Sequence, residues 1–219
     1  PVEKIMTGLP GYVVVVLIMQ LLWWFGIHGP NVMSAVTTPF MTKMMATNLE
    51  LYQAGEGVTA SGVFYTAGSK YSIIANPFGS GWFSSTGSGI TMGLIVAIML
   101  FSKRDDFKAI AKLAIPCGIF NINEPIIFGI PMVMNAMFAV PFFLAPIACV
   151  CCGYLVQSLG LCPLFVIDVP WTTPVGLFGF LASSGNIMGG IWQIVIIVGV
   201  STLIYTPFVI AANRQTEEA

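Results

Sequence analysis

Long apolar stretches alternate with short polar ones along the 219 residues of this chain. A helix needs about 20 apolar residues to cross the hydrocarbon core of a bilayer. Between the apolar stretches 9–27 and 82–101, residues 32–45 predict a short helix. Residues 46–80 combine charged residues with Gly, Ser and Thr, and predict a loop or hairpin outside the membrane. Four uncharged stretches are predicted to be membrane-spanning helices, namely residues 9–27, 82–101, 137–159 and 187–212.

Proline and glycine interrupt two further apolar stretches. Residues 109–135 contain several of both, which excludes one straight helix. We predict two half-helices that meet at residues 121–125 as a re-entrant hairpin, whose tip must lie in a cavity because its backbone lacks helical partners. Residues 161–184 predict a second re-entrant segment around residues 169–174. The fold class is therefore an all-α membrane protein, a polytopic helical bundle with about four full spans and two re-entrant hairpins in one domain over residues 1–219.

The composition agrees with a membrane protein and excludes other classes. Hydrophobic residues make up 57% of the chain, charged residues only 8%, and the mean hydropathy is +0.90. A soluble domain carries about 25% charged residues, so this chain cannot cover a surface that faces water. A net charge of -1 without a basic stripe gives no indication of nucleic-acid binding. No GxSxG, HExxH or Walker A motif is present, and no metal or cofactor is predicted.

The cysteines, a glycine-rich stretch and the first residue add three expectations. The five cysteines lie in apolar sequence far from the single histidine, so we interpret them as small buried hydrophobic residues rather than disulfide partners or metal ligands. Gly87-Ser88-Gly89 followed by Gly93 lacks the spacing of a dinucleotide motif, whereas Gly89 and Gly93 have the spacing of closely packed membrane helices. Pro1 in place of Met indicates part of a longer polypeptide.

Basic residues predict the orientation in the membrane. Four of the eight basic residues lie within residues 103–112, and by the positive-inside tendency this loop is cytoplasmic. The predicted order of spans and hairpins also places Lys4 and Arg214 on the cytoplasmic side. Lys43 and Lys70 fall on the opposite side and do not support this orientation.

Glu124 is the one charged residue between positions 113 and 167. A charge at the centre of a bilayer costs about 3 kcal/mol on insertion scales. Asn121 and Asn123 supply amide groups just before Glu124, and Pro125 after it prevents the backbone from closing into a regular helix. Such a set suits a ligand rich in hydroxyls. The alternative is a protonated structural carboxylic acid that binds backbone carbonyls.

Other polar side chains stand at breaks in apolar sequence. His28 lies among two glycines and a proline, either as a hydrogen-bonding group that lines a cavity or as a polar loop residue just outside the span. Asp168 either takes part in binding a ligand within the membrane, or it lies at the water interface and caps a half-helix. Trp171, beside Thr172, is a ligand contact or an interfacial anchor. The candidate substrate-binding residues are Asn121, Asn123, Glu124, His28, Asn135, Trp171 and Thr172.

Residues 121–135, Asn-Ile-Asn-Glu-Pro-Ile-Ile-Phe-Gly-Ile-Pro-Met-Val-Met-Asn, resemble the signature of the enzyme IIC components of the bacterial phosphoenolpyruvate-dependent sugar phosphotransferase system. Residues 26–29 and 169–174 resemble segments of the lactose, cellobiose and N,N'-diacetylchitobiose branch. The resemblance extends over about residues 9–213. Because members are about twice this length, the resemblance implies that this chain is the C-terminal, substrate-binding half.

The resemblance implies a multi-pass permease of the bacterial cytoplasmic membrane, surrounded by lipid and homodimeric at full length. Such a permease binds a disaccharide outside and carries it across the membrane. A separate enzyme IIB, phosphorylated on a cysteine, then delivers phosphate to a sugar hydroxyl, which makes the permease part of a transferase complex. Carried over, Glu124 and His28 lie near that hydroxyl and are the catalytic candidates. A desolvated carboxylate would be a better base than one in water.

Two other hypotheses remain open from the sequence. An ion-coupled secondary sugar transporter would use Glu124 as its coupling group between broken half-helices. An inactive, truncated fragment would show neither binding nor transfer. Phosphate transfer that depends on enzyme IIB separates the permease from the ion-coupled transporter, and stable sugar binding separates it from an inactive fragment.

Overall fold

In a computed structural model, which describes residues 6–217, helices form most of the chain. Two short antiparallel strands, β1 (Val58–Thr59) and β2 (Gly62–Val63), pair as a hairpin. A π-helical segment, Val195–Val200, joins the last two helices into one continuous rod. In chain order the helices are α1 (Leu9–Trp24), α2 (Gly29–Gln53), α3 (Asn76–Trp82), α4 (Met92–Phe101), α5 (Asp105–Ile119), α6 (Glu124–Gly129), α7 (Ala136–Ser158), α8 (Leu177–Ala182), α9 (Ile187–Ile194) and α10 (Ser201–Glu217).

Buried apolar side chains form two clusters. We call the first the Trp82 cluster; Trp82 stacks on Phe165 with ring centroids 5.1 Å apart, and its members include Val16, Phe78, Val150 and Phe178. We call the second the Ile126 cluster; its members include Trp23, Leu94, Ile127, Phe138 and Tyr205. Helices α1 and α7 contribute side chains to both clusters. The short helix α6 is held because Ile126 and Ile127 are buried in the second cluster.

The helical fold class is confirmed, but the count of four full spans is not. Among the described residues, two helices are long and apolar enough to cross a membrane: Ala136–Ser158, with 23 residues, and Ile187–Arg214, with 28. Helix α1 has 16 residues. In the predicted span over residues 82–101, Trp82 ends α3, and the only further helix is α4 with 10 residues. The preceding residues 83–91 are irregular because several of them adopt positive φ angles, which end a helix.

Helix α2 is longer than predicted. It covers 25 residues, so the predicted short helix and the first part of the predicted loop form one element. His28 begins it: its Nδ1 accepts a hydrogen bond from the backbone N–H of Asn31 at 3.2 Å, and Pro30 lies in the first turn. The hairpin predicted within residues 46–80 is confirmed as β1 and β2.

Buried amide side chains hold the irregular segments. Asn48 in α2 pairs with both backbone groups of Ser72, accepting at 2.9 Å and donating at 2.8 Å. Gln193 in α9 is fully buried and accepts from the N–H groups of Gly176 and Gly179, both at 2.8 Å. Its amide nitrogen donates to the carbonyl of Gly81 at 3.0 Å. These bonds replace the helical partners that an irregular backbone lacks.

Arg104 and Asp106 organise the charged connection between α4 and α5. The guanidinium binds the carboxylate of Asp106 at 2.5 Å and lies 3.8 Å from the centroid of the Phe107 ring. Asp105 and Asp106 stand in the first turn of α5, where negative charge is favourable. The hydrogen bond from Arg104 lowers the pKa of Asp106 below its ordinary value.

We expect Asp106→Asn to destabilise the protein slightly at neutral pH. Because the folded-state pKa is lowered, this contribution is present above the ordinary pKa of Asp, about 3.9, and is lost as pH falls through the lower folded value. The Asp106 side chain is 57% exposed and the pair is open to solvent, so the effect should stay below about 1 kcal/mol. Thermal unfolding of the variant and the parent at pH 7 and pH 3 measures it. A difference that persists unchanged at pH 3 would contradict this account.

Candidate functional site

The backbone breaks between α5 and α6. Asn121 adopts a φ of +67°, a left-handed conformation that asparagine tolerates better than most residues. The carbonyl of Asn123 then accepts from the N–H groups of Ile126 and Ile127 and starts α6, with Pro125 in its first turn. The two half-helices predicted to meet at residues 121–125 are therefore present, and Glu124 is the first residue of the second.

Asn121 joins three segments of the chain. Its Oδ1 accepts from the backbone N–H of Thr86 at 2.7 Å, and its Nδ2 donates to the carbonyls of Trp171 at 2.5 Å and Thr173 at 2.8 Å. We call this set the Asn121 junction. The side chain is only 4% exposed. Both amide hydrogens bind backbone carbonyls, so the side chain has no donor hydrogen left for a ligand.

Asn123 also points into the protein. It is 4% exposed, and its Nδ2 donates to the carbonyl of Ser88 at 2.6 Å. Asn121 and Asn123 therefore both bind residues 83–91, the irregular segment that precedes α4. The two amides that precede Glu124 connect the break to the interior, whereas Ile122 between them is 39% exposed.

Glu124 lies at the surface of the described part of the chain. Its side chain is exposed, and none of the hydrogen bonds or salt bridges among residues 6–217 involves its carboxylate. This differs from the enclosed, desolvated carboxylate expected from the sequence. It also gives no support to the alternative of a carboxylic acid bonded to backbone carbonyls. The physical reason is that both neighbouring amides turn inward and hold the backbone, which leaves the carboxylate facing away from the packed segments.

His28 is exposed and stands at the start of α2. Its ring lies 4.9 Å from the ring of Trp23, centroid to centroid. Since Nδ1 accepts the hydrogen bond from Asn31, the matching neutral tautomer carries its proton on Nε2. That nitrogen can donate to a hydroxyl group.

His28 and Glu124 are linked through the Ile126 cluster rather than by direct contact. Trp23, which packs against the ring of His28, belongs to that cluster together with Ile126, two residues after Glu124. The backbone N–H of Met134 donates to the carbonyl of Trp24 at 3.3 Å, so the end of the signature segment meets the end of α1. The imidazole and the carboxylate are thus attached to one packed unit.

The remaining candidates occupy different positions. Asn135 caps α7: its Oδ1 accepts from the N–H of Met137 at 3.0 Å, and its Nδ2 donates to the carbonyl of Pro131 at 2.9 Å. The Trp171 side chain is 57% exposed while its carbonyl is held by Asn121, and Thr172 is half-buried.

Asp168 is exposed and accepts from the side chain of Asn76 at 3.0 Å, at the start of α3. It therefore links the second irregular segment to a short helix through a side-chain contact. It does not form the expected cap, because within the described part of the chain it accepts from no backbone N–H at the helix start. Thr86 and Ser88, which sequence reasoning missed, supply the backbone groups that Asn121 and Asn123 bind. A run of glycine and hydroxyl residues inside an apolar stretch was the available signal.

Two open grooves lie apart from the candidate residues. One, of about 730 Å³, runs along α2, and the other, of about 490 Å³, lies between the β-hairpin and residues 184–188. Within residues 6–217 there is no group of three or more His, Cys, Asp or Glu side chains that could hold a metal ion. All five cysteines are free thiols; two of them, Cys149 and Cys162, are buried and the others are half-buried.

Comparison with known proteins first defines the class. The fold is similar to the crystal structure of the transporter ChbC, the IIC component from the N,N'-diacetylchitobiose-specific phosphotransferase system, with a TM-score of 0.87. The match covers 98% of this chain and 47% of that chain at 32% sequence identity. The fold is thus of the class of helical membrane transporters. Residues 4–146 match the family described as Phosphotransferase system, EIIC. The chain belongs to this family, which consists of membrane permeases, and the resemblance read from the sequence is confirmed.

Relatives of known specificity support the same family. The cellobiose-specific EIIC component of Lactococcus lactis is 35% identical over 228 residues, which cover 99% of this chain and 46% of the relative. The lactose-specific EIICB component of Staphylococcus aureus is 33% identical over 213 residues, 94% of this chain and 34% of the relative. The chain therefore spans less than half the length of these relatives.

Proposed function

We propose that this chain is the substrate-binding part of a disaccharide permease of the phosphotransferase system, working across the bacterial cytoplasmic membrane. The observation that carries the proposal is the arrangement at the signature segment. Residues 121–135 contain the family signature, and the Asn121 junction ties this segment to residues 169–174, one of the two segments that resemble the disaccharide branch. Relatives named for cellobiose, lactose and N,N'-diacetylchitobiose favour a disaccharide as the substrate.

The membrane arrangement that we propose has four crossings, two re-entrant segments and one substrate-binding domain over residues 1–219. Helix α7 and the rod formed by α9 and α10 supply two crossings, and the shorter apolar helices α1 and α4 contribute to the other two. The break between α5 and α6 and the irregular residues 161–176 are the re-entrant tips. Large exposed apolar side chains fit contact with lipid, including Leu100, Leu113, Val140 and Leu203. We also propose a homodimer for the full-length protein.

In the proposed reaction, phosphorylated enzyme IIB transfers its phosphoryl group to a hydroxyl of the bound sugar. The bond between phosphorus and the cysteine sulfur of enzyme IIB breaks, a bond between phosphorus and the sugar oxygen forms, and the cysteine leaves as a thiolate. The hydroxyl proton passes to the carboxylate of Glu124, which acts as a general base. The Nε2–H of His28 donates to the same hydroxyl and orients its oxygen for in-line attack.

The exposed carboxylate of Glu124 fits this reaction. It forms no bond with the described residues, so it is free to accept a hydrogen bond from a ligand. A disaccharide over Glu124, His28 and the exposed ring of Trp171 would displace water and strengthen these hydrogen bonds. Thr172 completes the substrate-binding set of the proposal, whereas Asn121, Asn123 and Asn135, whose amides bind backbone groups, position it.

We expect a β-linked disaccharide to stabilise the protein against thermal unfolding. At a concentration of 100 times Kd, binding to the native state adds about 2.7 kcal/mol. Cellobiose, lactose and N,N'-diacetylchitobiose should be compared at equal concentration, with the α-linked disaccharide maltose as control. A higher Tm with at least one β-linked sugar and none with maltose is the expected result. Equal shifts with all four sugars, or none with any, would contradict the proposed substrate class.

Coupling to phosphoenolpyruvate separates the permease from an ion-coupled transporter. Membership in the EIIC family favours the phosphotransferase reaction. Uptake into vesicles should require enzyme IIB and its phosphoryl donors, and the sugar should appear inside in phosphorylated form. Uptake of unmodified sugar that stops when the proton or sodium gradient is collapsed would favour the alternative.

A further inference from the structure

Residues 83–91, between α3 and α4, form a strained and mostly buried segment. Thr86 and Ile90, which are not glycine, have φ angles of 63° and 50°, and Gly87 and Gly89 have 77° and 83°. Left-handed backbone is energetically unfavourable at residues other than glycine and persists only where surrounding contacts determine it. Contacts on both sides of this segment hold it in the strained conformation.

This segment is fixed to the helices behind it. The hydroxyl of Tyr205 in α10, which is fully buried, donates to the carbonyl of Gly89 at 2.7 Å. The hydroxyl of Thr91 donates to the carbonyl of Thr86 at 3.0 Å. A Cβ atom on Gly89 would lie 2.6 Å from the ring of Phe142 in α7, so the backbone and this ring are in close contact. The segment is therefore a rigid support and not a free loop.

On the side away from Tyr205 and Phe142, the same segment binds the break between α5 and α6. Thr86 donates its N–H to Asn121, and Ser88 offers its carbonyl to Asn123. Gly87 lies between them and faces the Asn123 amide. A Cβ atom on Gly87 would stand 2.2 Å from Cγ, 2.4 Å from Oδ1 and 2.5 Å from Nδ2 of Asn123. Any side chain at position 87 must therefore displace Asn123 or the segment itself.

We infer that Gly87 is a positioning residue for Glu124, acting through Asn123. Asn123 directly precedes Glu124, and its carbonyl starts α6, so a shift of Asn123 moves the first turn of that helix together with the carboxylate. Gly87 itself need not touch the sugar. The inference rests on the proposed function of Glu124 and adds a structural source for its placement: the rigid segment 83–91, anchored by Tyr205.

The first test is Gly87→Ala in the complete protein as its gene encodes it, reconstituted in vesicles with enzyme IIB. We expect kcat for sugar phosphorylation to fall by at least about tenfold, since a misplacement of about 1 Å can cost 10²-fold, while KM changes less. Gly55→Ala is the matched control. Gly55 has a φ of 74°, close to that of Gly87, but nothing lies within 4 Å of its Cβ position. It therefore carries the same backbone strain without the contact and should retain the parent kcat.

A double-mutant cycle tests whether the effect passes through Asn123. Asn123→Ala removes the amide that a Cβ at position 87 would strike, so adding Gly87→Ala to it should change kcat by less than about threefold. Losses that multiply, or a Gly87→Ala protein with the parent kcat, would overturn the inference.

Thermal unfolding of the parent, the three single variants and the double variant gives a readout that does not depend on the sugar reaction. Gly87→Ala should lower Tm more than Gly55→Ala does, and Asn123→Ala should remove most of the difference at position 87. If Gly87→Ala alone does not fold, recovery of folded protein in the double variant supports the contact, and failure of both contradicts it. A parent protein that phosphorylates no disaccharide would refute the proposed function while leaving the contact between Gly87 and Asn123 measurable in this cycle.

Discussion

Replacing Glu124 by glutamine is expected to lower the rate of sugar phosphorylation by about 10²- to 10⁴-fold, the usual contribution of a general base. Glutamine has nearly the same size and can still form a hydrogen bond with a hydroxyl, but it cannot take up the proton. The carboxylate of Glu124 binds no described residue, so the substitution leaves no partner unpaired. Single-turnover transfer from phosphorylated enzyme IIB to sugar in vesicles measures the loss.

The control measurements separate chemistry from folding. Since Glu124 is exposed, the glutamine variant should keep the stability of the parent within about 0.5 kcal/mol, as surface substitutions usually do. Sugar binding should weaken less than about tenfold. Asp168→Asn is the matched variant, because Asp168 is also an exposed acid but binds Asn76 rather than a ligand. Phosphorylation at the parent rate by Glu124→Gln, with binding retained, would show that another group accepts the proton.

Local sequence signals predicted the parts of the fold that depend on local chemistry. Uninterrupted apolar residues predicted α7 and the rod of α9 and α10, and proline with glycine predicted the break before Glu124. The irregular residues 83–91 were predicted to belong to a span because they carry no charge and lead directly into the apolar residues of α4, although most of them are Gly, Ser or Thr. A glycine in such a stretch can mean close helix packing or a left-handed turn. Gly93 in α4 shows the first, since a Cβ there would lie 2.1 Å from Oγ of Ser201. Gly87 and Gly89 lie in left-handed turns, and these turns depend on partners that are distant in the sequence.

The sequence identified the residues of the candidate site better than their roles. It shows that Asn121, Asn123 and Asn135 carry amides, but the direction of an amide depends on which carbonyls the fold brings near it. All three turned out to bind backbone groups. The environment of Glu124 was not predictable either, because burial depends on what covers a side chain and no local pattern encodes that.

We expect Asn121→Ala to destabilise the protein by more than about 3 kcal/mol. Three hydrogen bonds with net contributions of about 1 kcal/mol each are lost, and the buried N–H of Thr86 is left unpaired. Alanine also tolerates the φ of +67° poorly. Asn121→Gly removes the same hydrogen bonds but accepts this conformation, so the difference between the two variants isolates the backbone strain. Chemical denaturation in detergent measures both.

The decisive observation for the Asn121 junction is activity per folded molecule. Asn48→Ala serves as the control, since Asn48 is also a buried asparagine that loses two hydrogen bonds, but both go to Ser72, which is not part of the junction. Both variants should lose stability. Only Asn121→Ala should also lose phosphorylation, by about 10²-fold, because it releases residues 169–174 from the break that carries Glu124. Equal kcat for the two folded variants would mean that the junction supports the fold without positioning the site.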